Sequence, residues 1–359
     1  HAPAELWVLV GSCLNNIGAV YQAQGVLEQA LAYYQRALAI DEAIAPHSPE
    51  TATDLTNIGS VYEAQGNLEQ ALAYFQRALA IMEQVAPNSP KYAAILTSIG
   101  SVYEAQGDLE QALVHFQRAL AIYEAITPQS PQTATCLTKI GFVYEVQGNL
   151  EEALACYQRA LAIIEAVASN SQNHAACLAN IGTVYWAQGD PERALAHFRQ
   201  ALAVIEQAAP NSQDHATILT NIGVVHEEQG DLGQALACYQ RALAIDEAIA
   251  PQSQETARDL NNIGLVYQAR GELEQALAYF QQALAIVETV APNSQLRASI
   301  LKNIEECVSA QGIEETFWVI IKGAALHDAK WQVKLCAMRA FWTLSGGHRW
   351  CASSASRAI

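Results

Sequence analysis

Residues 48–87 read SPETATDLTNIGSVYEAQGNLEQALAYFQRALAIMEQVAP. Ser48-Pro49 is a helix start: a serine that can cap, then proline at the first helical position, where its missing N–H costs nothing. Leu55, Ile58, Gly59, Val61 and Tyr62 then recur at helical spacing. Gly66 ends that helix, as glycine does just past a C-terminus. Asn67-Leu68-Glu69-Gln70 has the form of a capping box and starts a second helix. Leu68, Ala71, Leu72, Phe75, Ala78, Leu79 and Ile81 are its apolar stripe, and Pro87 stops it. Small Gly59 and Ala71 let the two helices approach, while Tyr62 and Phe75 fill the space between neighbours.

The same hairpin recurs along the chain. Ile-Gly stands at Ile17, Ile58, Ile99, Ile140, Ile181, Ile222 and Ile263, in steps of 41 residues. Gly25, Gly66, Gly107, Gly148, Gly189, Gly230, Gly271 and Gly312 keep that beat, as do prolines 46, 87, 128, 210, 251 and 292, with Ser169 in the one gap. Three registers with one period define seven repeats over residues 11–297. Residues 1–10 are a divergent flank, with Trp7 at the place of the cap serine. Residues 298–344 hold a degenerate eighth repeat and capping helices, and 345–359, rich in Ser, Gly and Arg, read as a disordered tail. One hairpin cannot bury its stripe alone, so stability must come from stacking in an all-α array.

Charge narrows the function. Thirty-six acidic residues against 19 basic give a net charge of −17. Phosphate backbones and anionic membranes call for clustered Lys and Arg, so both are excluded and a basic or neutral protein partner is expected. The eight cysteines form no CxxC pair; they read as small buried hydrophobes of a reducing, cytoplasmic protein. The apolar run from Phe317 to Ile321 stops at Lys322, far short of a membrane span. The chain opens on His1 without a leader, which suggests a fragment or a processed piece.

Catalytic signatures are missing. His226-Glu227-Glu228 fails the HExxH spacing, and His226 takes the repeat's Tyr position, a packing place. His174 and His215 share a linker register one repeat apart. GxSxG, GxGxxG and a phosphate-binding loop do not occur. No catalytic residue, metal site, cofactor or small-molecule substrate is therefore expected, and the chain is read as a non-enzyme.

Counted from Ala52 as position 1, the pattern Leu55, Ile58-Gly59, Tyr62, Gly66, Ala71, Phe75, Ala78 resembles a tetratricopeptide repeat. The usual period is about 34 residues; here seven more lengthen the second helix and linker, and the late proline falls at Pro87. This long form resembles the repeats of kinesin light chains. The resemblance implies a right-handed α-solenoid superhelix, with the first helix of each hairpin lining a concave groove that binds peptides or extended protein segments.

At about 100° per residue, positions 4, 7, 8, 10 and 11 of the first helix share an apolar arc. Positions 2, 5, 6, 9, 12 and 13 share the opposite arc, which should face the groove. Position 6 gives Asn16, Asn57, Asn180, Asn221, Asn262 and Asn303, interrupted by Ser98 and Lys139. An asparagine amide both donates and accepts, so such a file can hold a peptide backbone. It resembles the asparagine ladder of the O-linked N-acetylglucosamine transferase repeats; bonding to a neighbouring helix is the alternative. Position 12 gives Glu63, Glu104, Glu145 and Glu227, with Trp186 among them. An acidic wall with one tryptophan suits a Lys- or Arg-bearing segment with an apolar anchor, although Trp186 could instead pack on a neighbour. A carboxylate clamp is disfavoured, because the arc carries only Lys139, Arg258 and Lys302 as cations.

The reading is a protein-interaction scaffold. The alternative is the sensing arm of a larger signalling protein, since long-form arrays are often joined to a nucleotide-hydrolysing switch or a caspase-like protease. Asp328, Val333-Lys334 and Ala337 resemble one HEAT-type unit, against the simpler reading of a capping helix.

Overall fold

A computed structural model of the chain describes residues 4–310. Fifteen helices and no strand occur among the described residues. They are α1 (Ala4–Ala23), α2 (Leu27–Ile44), α3 (Pro49–Ala64), α4 (Leu68–Val85), α5 (Pro90–Gln106), α6 (Leu109–Ile126), α7 (Pro131–Val146), α8 (Leu150–Ala168), α9 (Gln172–Ala187), α10 (Pro191–Ala208), α11 (Gln213–Glu228), α12 (Leu232–Ile249), α13 (Gln254–Ala269), α14 (Leu273–Val290) and α15 (Gln295–Ala310). The described residues divide into two compact units, 4–251 and 252–310.

In the N-terminal unit, α1 to α12 form six hairpins. Each helix packs on the next, and first helices of adjacent hairpins also touch, as α3 does α5 and α9 does α11. The unit is thus an all-α solenoid of stacked hairpins. The C-terminal unit holds one further hairpin, α13 and α14, with α15 packed on it. Residues 4–10, read from the sequence as a flank, are the first turns of α1. The expected HEAT-like segment and tail lie outside the described residues.

The start signals work unevenly. Ser48, Ser89, Ser130, Ser171, Ser212 and Ser253 each accept a backbone N–H three residues on, capping α3, α5, α7, α9, α11 and α13. At the second helices, Asp108, Asp190 and Asp231 cap α6, α10 and α12. Asn67 and Asn149 do not cap, against expectation. Their amides donate instead to Gln65 and Gln147, both at 3.4 Å. The longer Glu272 does not cap α14 either, so among these positions the cap is made only by aspartate, whose charge also suits the helix N-terminus.

Between the helices, Gly66 at φ 76° makes the turn. The Asn67 N–H reaches back to Tyr62 O at 2.8 Å, closing a Schellman motif. Gly59 has a different job. A Cβ there would come within 2.7 Å of Phe75 Cε1, so the ring of the second helix lies on bare backbone of the first. Phe75 therefore fills space inside its own hairpin and is 0 % exposed. Tyr62 is half-buried and stacks on Tyr74, with ring centroids 5.5 Å apart.

Contacts between hairpins involve a position that the apolar arc left out. Position 3 is Asp54, Ile95, Cys136, Cys177 and Ile218 in α3, α5, α7, α9 and α11, and every one is buried. Cys136 and Cys177 donate to Phe116 O and Tyr157 O, and burial pushes both thiols up to about 12. Asp54 is 0 % exposed, accepts from Asn15 Nδ2 of α1, and faces the buried Asp41 of α2 carboxyl to carboxyl. On the outer helices, Arg77–Glu42 and Arg241–Glu206 tie neighbours at 2.8 and 2.9 Å, with an exposed Arg159–Glu124 pair between them. Exposed pairs contribute little each, on the order of 0–1 kcal/mol.

Two linker forms recur, and the linker before α5, with Tyr92 at this place, follows neither. Thr51 and Thr133 donate their hydroxyls to Ala45 O and Thr127 O. His174 and His215 take the corresponding places in α9 and α11. Their Nδ1 atoms accept from Asn170 N and Asn211 N at 3.2 Å, and those two asparagines adopt φ 63° and 61°.

Candidate functional site

Side chains that bridge consecutive first helices define one face of the N-terminal unit. Asn57 donates to Asn15 at 3.3 Å, Trp186 to Glu228 at 2.6 Å, and Gln172 to Asp214 at 2.6 Å, each pair 42 residues apart. A residue on this face therefore lies beside its counterpart, shifted by one, in the next repeat. The exposed arc of the sequence reading is this face: positions 5, 6 and 12 are half-buried and position 13 is exposed in α3, α5 and α7.

The asparagine file is not uniform. Asn16 is exposed. Asn57 is bonded to Asn15, and Asn303 of the C-terminal unit donates to Asn261 at 2.9 Å. The half-buried Asn180, Asn221 and Asn262 make no side-chain hydrogen bond among the described residues. Asn180 and Asn221 sit on α9 and α11, which touch, so two unused amides lie on adjacent helices of one face.

Position 12 splits by what stands twelve residues on. Tyr157 donates its hydroxyl to Glu145 at 2.8 Å, Tyr239 to Glu227 at 2.7 Å, and Tyr34 to Gln22 at 2.8 Å. Where the later residue is Phe75 or Phe116, Glu63 and Glu104 have no hydroxyl to bind. The Lys139 ammonium comes within 3.8 Å of Glu104 and lies 5.5 Å from the centre of the Phe116 ring. Loss of water raises the pKa of all four glutamates; Lys139 opposes this for Glu63 and Glu104, and the tyrosine hydroxyls for Glu145 and Glu227. These carboxylates are costly to keep charged without a partner. Trp186 is half-buried against the core and held by Glu228. Phe142 stands 43 % exposed on the same face.

The tyrosine–glutamate pairing escaped the sequence reading, and its signal was weak, since Gln or Glu also stands twelve residues before Phe75, Phe116 and Phe280. Tyr occurs at the later position only where Gln or Glu stands twelve residues before it. His226 is buried in the packing position expected for it. No group of three His, Cys, Asp or Glu side chains that could hold a metal ion occurs among the described residues. A cleft of about 360 Å³ on the outer helices is lined by Glu124 and Arg159, already paired with each other, and by Pro128 and Ile163. No helix among the described residues is long and apolar enough to cross a membrane.

A family model described as tetratricopeptide repeat matches residues 10–84, 55–125, 91–166, 132–207, 214–289 and 255–312. No curated protein matches. Among solved structures, BtubC (BKLC) from P. vanneervenii is 22 % identical, with a TM-score of 0.55, covering 62 % of this chain and 92 % of its own. The apo form of RapI is 16 % identical, with a TM-score of 0.61, covering 79 % and 99 %. A putative kinesin light chain from Podosopora anserina is 18 % identical, with a TM-score of 0.48, covering 57 % and 97 %. At these identities the first two likenesses speak for the fold alone.

Proposed function

The chain belongs to the tetratricopeptide repeat family, and from that premise we propose that it grips an extended protein segment along the face built by its first helices. Arrays of this family are protein-interaction scaffolds in general; the finer reading concerns where and what this one binds. The observation that carries it is the pair of unbonded amides, Asn180 and Asn221, on touching helices. Each can donate to and accept from a peptide backbone whatever the side chains of the segment. Further along the same face, on α3 and α5, Glu63 and Glu104 favour a segment that brings Lys or Arg, since a cation would compensate carboxylates already short of water. Phe142 offers the apolar contact. No catalytic role is assigned, and the place of action is the cytoplasm, where the described thiols stay unpaired.

The test is fluorescence anisotropy against synthetic peptides of one length that differ only in net charge. Binding should strengthen from acidic to basic members. Asn180→Ala with Asn221→Ala should weaken it about tenfold or more, as expected for two lost hydrogen bonds of about 1 kcal/mol each, while helical circular dichroism stays unchanged. Equal affinity in the double variant would remove the amides from the account.

A further inference from the structure

On the face that the first helices share, α7 departs from its neighbours. Position 9 is Ser60, Ser101 and Thr183 in α3, α5 and α9, and position 13 is Ala64, Ala105 and Ala187. In α7 the same places hold Phe142 and Val146. Phe142 is 43 % exposed and Val146 55 %. Among the described residues they are the only large apolar side chains that α3, α5, α7, α9 and α11 leave open. Four residues apart on a helix, they form one ridge. Hairpins flank α7 on both sides, so this ridge is open inside the array and not at its end.

On the preceding first helices the same face carries unbalanced charge. Glu63 of α3 and Glu104 of α5 occupy one position on touching helices. Lys139 serves both: it approaches Glu104 at 3.8 Å and acts on Glu63 only through its field, while Glu104 repels Glu63. Glu63 makes no side-chain hydrogen bond or ion pair among the described residues. Two half-buried carboxylates against one ammonium leave a place for a second cation. Lys139 shows what suits it, an ammonium that meets a carboxylate while lying over the Phe116 ring.

Resting on the reading that an extended segment lies along this face, we infer that the segment brings a Lys or Arg to Glu63 and, about six residues away, an aliphatic or aromatic side chain to the Phe142–Val146 ridge. The separation follows from the architecture. Neighbouring helices pack about 8–10 Å apart, so two steps from α3 to α7 cover up to about 20 Å. An extended chain advances about 3.3 Å per residue and turns every second side chain to the same side. Six residues therefore reach about 20 Å with both side chains towards the array; four reach about 13 Å, eight about 26 Å, and odd separations turn one side chain away.

Selection of random displayed peptides on the whole chain, followed by calorimetric titration of the enriched ones, tests this. Lys or Arg should recur about six residues from an apolar side chain. Glu63→Gln, and Phe142→Ser with Val146→Ala, should each weaken such peptides about tenfold. These variants import side chains that the array already carries at the same positions, as in Gln22, Ser101 and Ala105, so helical circular dichroism should be kept. Lys139→Asn frees Glu104 and should tighten binding about threefold or more. Enriched peptides without this spacing, or peptides that Glu63→Gln and the α7 double variant leave unaffected, overturn the inference; if Asn180→Ala with Asn221→Ala still weakens them, the wider reading of the face stands. Weaker binding to Lys139→Asn overturns the cation site. Peptides that no variant of this face affects, or no enrichment at all, overturn both.

Discussion

The Asp41–Asp54 contact makes the first two hairpins respond to pH in an unusual direction. Asp54 is 0 % exposed, and burial is the main cause that pushes its carboxyl from 3.8 up to about 7. Asp41 and Glu42 of α2 push the same way, while the Asn15 amide of α1 opposes them. Asp41 is raised too, chiefly by burial, with Glu50 of α3 adding to it. The folded chain therefore keeps a proton between pH 4 and 7 that the unfolded chain releases. Stability from this site is fully present below about pH 4 and is lost as pH rises towards 7. At about 1.4 kcal/mol per unit, the loss is at most about 4 kcal/mol. Asp54→Asn keeps the geometry without the proton: its amide oxygen accepts from Asn15 and its NH2 donates to Asp41. Hydrogen exchange of peptides from α1 to α3, corrected for intrinsic rates, reads the local opening free energy. In the parent it should fall from about pH 5 to about pH 7.5 by roughly 2–4 kcal/mol, and in Asp54→Asn it should be flat. A variant that keeps the parental slope would refute the reasoning.

The other outcomes concern the interior of the hairpins. Gly141→Ala places a Cβ 2.7 Å from Tyr157 Cε1, and the ring has nowhere to move, so urea denaturation should show a loss of roughly 1–3 kcal/mol; an unchanged midpoint would mean that the contact is slack. Burial lowers the pKa of His215, with Arg241 adding to this and Glu206 opposing it. Stability from His215 is thus present above about pH 6.5 and is lost as pH falls below it. His215→Thr should remove that acid-side loss in hydrogen exchange of α11, a trend opposite in sign to that of Asp54.

Much of this architecture is legible in one repeat, because period, cap serine, turn glycine and apolar stripe are local features. Ser48 and Gly66 do what their types and spacing imply, whereas Phe75 fills its own hairpin and not the gap to the next. The departures are where a residue's partner lies in another hairpin or twelve residues away. Position 3 fell outside the apolar arc because Asp54 looks like a solvated residue until Asp41 and Asn15 are seen around it. Asn57 belongs to a file of identical residues, yet its amide is taken by Asn15, and Asn221 has no such neighbour because position 5 of α9 is Ala179. Glu145 and Glu104 occupy the same position, but only one has a hydroxyl above it. Sequence identity along the file could not separate these cases, since each depends on one substitution elsewhere.

The tyrosine–acceptor pairing also bears on how such an array can change over generations. Tyr34, Tyr157 and Tyr239 are at most 2 % exposed, and each relies on an acceptor in its own hairpin. Duplicating, deleting or swapping a whole repeat carries both members along. A recombination joint falling between Glu145 and Tyr157 would separate them. Set behind Trp186, for example, such a tyrosine would lose its carboxylate acceptor, leaving an orphaned hydroxyl at a cost of about 1–3 kcal/mol. A joint in a linker keeps the pair whole, so the hairpin, not the helix, is the module that can be exchanged without orphaning the hydroxyl.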